Sequence, residues 1–222
     1  MTDRKLLVVA TSNPGKVKEM QVYLQNLGWE LQLKPAQLEI EETGATFIAN
    51  ACLKASEIAK AMGEWSIADD SGLMVDALDG QPGIYSARYG KTDADRISRL
   101  IAELGNEENR QAQFVCAIAI ARPDGTIALQ VEGICRGEIL HSPRGTGGFG
   151  YDPIFYVPTQ QQTFAEMTPE IKRSHSHRGK AFQALLPQME SLVISYWLFV
   201  ISTNYPCPMP NAQCPMPHSP VS

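Results

Sequence analysis

The sequence predicts an α/β protein, a single domain on a sheet of mixed strand direction. Three observations carry this reading. Strand and helix patterns alternate early in the chain, and a long two-strand hairpin occupies its middle. The 222 residues are 44% hydrophobic, enough for one sizeable core.

The elements follow in order. "KLLVVAT" (residues 5–11) is a continuous β-rich run and reads as a buried strand. The turn "SNPGK" leads into "VKEMQVYLQNLG", with apolar residues at Val17, Met20, Leu24 and Leu27 and a glycine stop at Gly28. "TFIANACLKASEIAKAMG" (residues 46–63) predicts a second helix, capped by Thr46 and closed by Gly63. A short strand near Ile67 runs into Asp69 and Asp70, and "DADRISRLIAELG" predicts a third helix ending at Gly105. Two β-rich runs around Pro123-Asp124-Gly125 read as a hairpin. Residues 145–153 form a glycine-rich loop, and residues 180–189 a last helix.

Residues 1–190 are expected to form the domain and residues 191–222 a tail. The tail opens with "SLVISYWLFVI", well short of the roughly 20 residues that cross a bilayer. The proline-rich remainder, with "CPMP" twice, is expected to be disordered. The net charge of -5 gives no support to nucleic acid or an anionic membrane as partner. Five cysteines without a CxxC imply neither a disulfide framework nor a zinc site. The N-terminus reads as a strand rather than a secretory signal, so the expected location is the cytoplasm.

Five stretches could carry chemistry. "TSNPGK" (Thr11, Ser12, Asn13, Pro14, Gly15, Lys16) is a strand-to-helix turn, a natural place for phosphate, with Lys16 adding charge. It is not a Walker A loop. In "IEETGATF" and "IADDSG" acidic residues stand side by side. Neighbours in extended backbone point to opposite sides, so one of each pair can face a site. Mg²⁺ takes one or two protein carboxylates, a need that one Glu and one Asp would meet. "GTGGFGYDPIF" sets Phe149, Gly150, Tyr151 and Asp152 on flexible backbone, where an aromatic ring could stack on a base. "KRSHSHRGKA" gathers Lys172, Arg173, His175, His177, Arg178 and Lys180, the place in an acidic chain where an anionic or carbonyl-rich ligand would be met. Each stretch alone also fits a plain structural role. Together they supply what cleavage of a nucleoside triphosphate requires.

In this combination and order, "TSNPGK", "EETGATFIANACLKA", "ADDSGLMVDALDGQPGIYSARY", "GTGGFGYDPIF" and "SHRGKA" resemble the inosine/xanthosine triphosphate pyrophosphatase family, from about Leu6 to about Leu186. The resemblance implies an elongated, two-lobed α/β domain around a long twisted mixed sheet, with the active site in the cleft between the lobes. It implies a homodimer and Mg²⁺-dependent hydrolysis of ITP, dITP and XTP to the monophosphate and pyrophosphate, which cleanses the nucleotide pool. By position, Thr11 to Lys16 would hold the triphosphate and Ser71 would contact substrate. Glu41 and Asp70 would serve Mg²⁺, with Asp70 also taking the proton of the attacking water. Phe149, Gly150, Tyr151, Asp152, Lys172, His177 and Arg178 would form the base pocket. Asp69 is left to brace the turn or a lysine. Ala49 stands where many relatives have Glu, while Lys54 is retained.

Overall fold

The computed structural model describes residues 5–24 and 28–204, with side chains described as far as residue 192. Among the described residues a seven-stranded sheet runs in the order β2-β1-β3-β4-β5-β6-β7. Its strands are β1 (Lys5–Val9), β2 (Trp29–Leu33), β3 (Trp65–Val75), β4 (Gln111–Ala121), β5 (Ile127–Ile139), β6 (Phe155–Val157) and β7 (Gln162–Thr163). β1 is parallel to both β2 and β3, and every later pairing is antiparallel, so the sheet is mixed as the alternating pattern predicts.

The helices are α1 (Pro14–Leu24), α2 (Phe47–Met62), α3 (Asp93–Leu104), α4 (Pro169–His175) and α5 (His177–Asn204). α2 begins and ends where its caps predict. Thr46 Oγ1 accepts the Ala49 N–H, and Gly63 takes a left-handed φ of 68° that a side chain would strain. α3 carries a reciprocal cap between Thr92 and Asp95. α1 follows its apolar spacing from Pro14 to Leu24, and Leu27 of that pattern lies outside the described residues. The short edge strand β2 and the separate helix α4 were not anticipated. Ser176 breaks α4 from α5, its extended ψ of 163° stopping the helical turn.

α5 is also longer than expected. The apolar run from Ser191, read as part of a tail, continues the helix to Asn204, since no glycine or proline interrupts residues 188–204. The proline-rich remainder, with Cys207 and Cys214, lies outside the described residues. No described helix is long and apolar enough to cross a membrane.

Period-two alternation along β3 sorts the core. Ile67 packs with α1 and α5 on one face of the sheet, in a cluster with Met20, Leu24 and Phe182. Ala68 packs with α2 on the other face, beside Phe47, Ala55 and Ile58. A third cluster lies farther along the sheet, where Phe114, Phe155 and Phe164 meet the apolar side of α3. The alternation continues past the point where β1 stops. β1 accompanies β3 only from Leu7–Trp65 to Val9–Ile67, whereas β3 runs on to Val75. Asp69 and Asp70 therefore occupy the notch opened by the end of β1, a place where α/β sheets commonly bind ligands.

Candidate active site

A cavity of about 370 Å³ opens at this notch. Its walls bring together Thr11, Ser12, Asn13 and Lys16, then Asp70 and Ser71, the segment Phe149, Gly150, Tyr151 and Asp152, and Lys172, His177 and Arg178. Six cationic side chains line it against four carboxylates, which suits a polyanionic guest. Pro14 and Gly15 are not among the lining residues.

Opposite faces of β3 give the two aspartates different surroundings, as their adjacency predicts. Asp70 points toward α2. Asn50 Nδ2 donates to its Oδ2 at 3.1 Å, Lys54 Nζ lies 3.4 Å from its Oδ1, and the Ser71 N–H donates to the same oxygen at 3.1 Å. The Asn50 amide is oriented in turn, because its Oδ1 accepts the Gly44 N–H at 2.7 Å. Burial pushes the Asp70 carboxyl above its ordinary value, opposed by Lys54 and Lys16 and reinforced by nearby Glu42. Asp69 points toward α1 and α5 and is fully buried. Its Oδ2 lies 3.2 Å from Lys16 Nζ and accepts from Arg178 Nη2 at 2.9 Å. Burial alone would raise this carboxyl, but Lys16 and Arg178 outweigh it and hold the group well below the usual carboxylate range. The lysine expected to be braced by Asp69 is Lys16 itself.

The glutamate pair resolves differently from expectation. Glu42, not Glu41, lines the cavity beside Asp70, and Glu41 is exposed outside it. The cause is the side of the loop that faces α2 and the 3-10 turn at residues 83–88. Lys54 Nζ lies 2.6 Å from Glu42 Oε1, and Arg88 Nη2 lies 2.5 Å from Glu42 Oε2. Burial would raise Glu42, yet Lys54 and Arg88 together hold it below its ordinary value. Ala49 is exposed and does not line the cavity, and its N–H serves the Thr46 cap.

The phosphate turn also differs in one respect. A helix start commonly offers free N–H groups, but here Asn13 takes them. Its Oδ1 accepts from Gly15 N at 2.9 Å and Lys16 N at 3.2 Å, its carbonyl accepts from Val17 N at 3.0 Å, and Pro14 has no N–H. These first-turn amides of α1 are thus already engaged, while the side chains of Lys16, Lys34 and Lys54 line the cavity.

The far wall is aromatic and cationic. His177 stacks on Phe114 with ring centroids 4.6 Å apart and planes 12° from parallel. Burial first, then Arg178 and Lys172, push its pKa well below the usual 6.5, so the ring is neutral at pH 7. Arg178 is 2% exposed and donates to Glu19, Asp69 and Ser71. Lys172 bonds Asp152 at 2.7 Å and Glu19 at 3.0 Å, and its ammonium lies 4.9 Å from the centre of the Phe149 ring. Tyr151 anchors the glycine-rich loop by donating to the Ser86 carbonyl at 3.0 Å. His175, the other histidine of that stretch, turns to the Ile171 carbonyl on its own helix and does not line the cavity.

The sequence left Glu42 as one of an adjacent pair and did not single out Asn50, Glu19, Lys34 or Arg96. Of these four, only Asn50 left a trace, a polar residue on the apolar face of α2.

A mixed sheet that ends in a carboxylate-and-lysine cluster, faced across one cavity by a stacked histidine and buried cations, defines an α/β protein built to hold a polyanion bearing a planar group. Known proteins narrow the class. The sequence pattern of the Ham1 family matches residues 7–188, and the chain belongs to that family. It is 73% identical over 191 residues to the dITP/XTP pyrophosphatase of Nostoc sp., a match spanning 86% of this chain and 97% of that one. The dITP/XTP pyrophosphatase of Synechocystis sp. is 61% identical over 186 residues, spanning 84% and 96%. Among solved structures, the HAM1 protein of Coxiella burnetii superposes with a TM-score of 0.77 at 40% identity, spanning 86% of this chain and 99% of that one. The Staphylococcus aureus Ham1 protein gives 0.76 at 40% identity, spanning 86% and 100%.

Proposed function

We propose that this chain hydrolyses deaminated purine nucleoside triphosphates (ITP, dITP and XTP) to the monophosphate and pyrophosphate, keeping them out of DNA and RNA. The activity named for the Nostoc sp. and Synechocystis sp. relatives supports the reading. The observation that carries it is the division of one cavity into two chemistries. Asp70, Glu42 and Lys54 stand on the α2 side, and His177, Arg178 and Lys172 stand opposite with the Phe149 ring.

Glu42 and Asp70 fit Mg²⁺. They offer hard oxygen donors, and Lys54 Nζ draws one oxygen of each to within 3.4 Å of a common point on the cavity wall. When bound, the ion neutralises phosphate oxygens and makes the phosphorus easier to attack. Glu41 is replaced by Glu42 in this assignment.

Lys16 and Lys54 draw negative charge from the phosphate chain. Asp70 receives the proton of the attacking water. Asn50 and the Ser71 N–H fix the direction of its carboxylate. Water attack at the α-phosphorus, with departure of pyrophosphate, accounts for the products. On the far wall, Arg178 donates to the 6-oxo group of hypoxanthine or xanthine. Adenine carries an amino group there and leaves a buried donor unpaired, at a cost of about 1–3 kcal/mol. Thr11, Ser12, Asn13 and Ser71 complete the polar lining near the phosphates, while Gly150, Tyr151 and Asp152 shape the base side.

A Mg²⁺-dependent homodimer in the reducing cytoplasm, elongated and two-lobed with the cavity in the cleft, completes the proposal. The free thiols of Cys52, Cys116 and Cys135 suit that compartment. Light scattering after gel filtration checks the dimer. The decisive assay is pyrophosphate release from ITP, dITP, XTP, ATP, GTP and dTTP, with Mg²⁺ and with EDTA. Fast release from the first three that EDTA abolishes is expected. Equal release from dTTP, or indifference to EDTA, refutes the proposal.

A further inference from the structure

The charged side chains in and under the cavity wall form one chain of ion pairs, which an aromatic ring closes into a circuit. Asp69 Oδ2 lies 3.2 Å from Lys16 Nζ and accepts from Arg178 Nη2 at 2.9 Å. Arg178 Nη1 continues to Glu19 Oε2 at 2.5 Å, Glu19 Oε1 to Lys172 Nζ at 3.0 Å, and Lys172 to Asp152 Oδ2 at 2.7 Å. That same Asp152 oxygen accepts the Phe149 N–H at 2.9 Å. The Phe149 ring then returns to the start, packing so closely on Gly15 that a methyl group there would sit 2.7 Å from it. The circuit leaves the phosphate turn, passes under the base side and comes back one residue before Lys16.

Its narrowest point is a single atom. Asp69 Oδ2 serves both cations, Lys16 and Arg178, and accepts a longer bond from the Ser71 hydroxyl at 3.4 Å, while Asp69 Oδ1 is buried with no hydrogen-bond partner. Asp69 is 0% exposed, so solvent does not make up the difference if either cation shifts. Two cations on one oxygen repel each other, and each takes what the other gives up. Seating a 6-oxo base against Arg178 therefore alters how firmly Asp69 holds Lys16.

We infer that Asp69 is a positioning residue that couples reading of the base at Arg178 to placement of the phosphate cation Lys16. The inference rests on the assignment of base and phosphates proposed above. It makes specificity a matter of turnover as well as of affinity.

Asp69→Asn keeps the side-chain shape and removes the charge. In this variant the ITP:ATP ratio of kcat falls by at least about tenfold. The ratio of Kd values for the α,β-imido analogues of the same nucleotides stays within about threefold of wild type. A merely structural role lowers both kcat values by one common factor and overturns the inference. So does a binding role that moves only the Kd ratio. Glu19→Gln opens the circuit on its more exposed side and is expected to give the same collapse of the kcat ratio. It decides the matter if Asp69→Asn does not fold, and an unchanged ratio there overturns the inference. A wild-type chain with no preference for ITP over ATP refutes the proposed function instead.

Discussion

Replacing Lys54 with methionine keeps the aliphatic stem on α2 and deletes the one ammonium that Glu42 and Asp70 share. Lys54 Nζ lies 2.6 Å from the first carboxylate and 3.4 Å from the second, and its side chain is 13% exposed. With an effective dielectric of about 20, these separations give attractions of about 6 and about 5 kcal/mol. Desolvation offsets much of that, and removing one partner of a buried pair costs about 3–5 kcal/mol net. The pH dependence follows from the directions of the shifts. Glu42 is held below its ordinary value, so its contribution is present above the unfolded pKa and lost as pH falls through the folded one. Lys54 is raised, so its contribution is present at neutral pH and lost only as pH rises through its folded value. The gap between wild type and Lys54→Met is therefore full at about pH 7 and shrinks as the carboxylates protonate toward about pH 3. Urea unfolding at both values measures it. A gap under about 1 kcal/mol at neutral pH, the size of an exposed pair, or one that does not shrink in acid, refutes the reasoning.

Asp70→Asn is expected to lower kcat for ITP by about 10²–10⁴ while the nucleotide still binds, and near-normal turnover removes Asp70 from the mechanism. Arg178→Ala should lower kcat/KM for ITP by roughly ten- to a hundredfold more than for ATP, the size of one unpaired buried donor; equal losses argue against base reading by this residue. His177 is held neutral, its folded pKa depressed, so the unfolded chain binds the proton first as pH drops. Wild-type stability should decline below about pH 6.5 by up to about 1.4 kcal/mol per unit, and His177→Phe, which keeps the stack on Phe114, should remove that share of the decline. Denaturant titrations across pH 5 to 8, roughly the histidine range, compare the two.

Local signals were the legible ones. Thr46 and Gly63 mark the ends of α2 because capping chemistry depends on residues within one turn. The opposite facing of Asp69 and Asp70 follows from strand alternation, which holds through the whole of β3. Choosing between Glu41 and Glu42 needed information from elsewhere. Both lie in irregular backbone, and Lys54 and Arg88, 12 and 46 residues away, decide which one turns inward. Glu19 was equally silent, since its partners Lys172 and Arg178 stand 153 and 159 residues along the chain. β2 has only five residues, too few for periodicity to stand out. The length of α5 was obscured because its apolar run carries no polar face to mark a helix.

The cap that Asn13 places on α1 also bears on how the site lets go. A rigid nest of amides grips any phosphate alike, the departing product included. Ammonium heads such as those of Lys16, Lys34 and Lys54 act as point charges, whose hold on an anion is screened when small ions crowd in. With the phosphates held as proposed, the grasp on pyrophosphate is expected to weaken as salt rises.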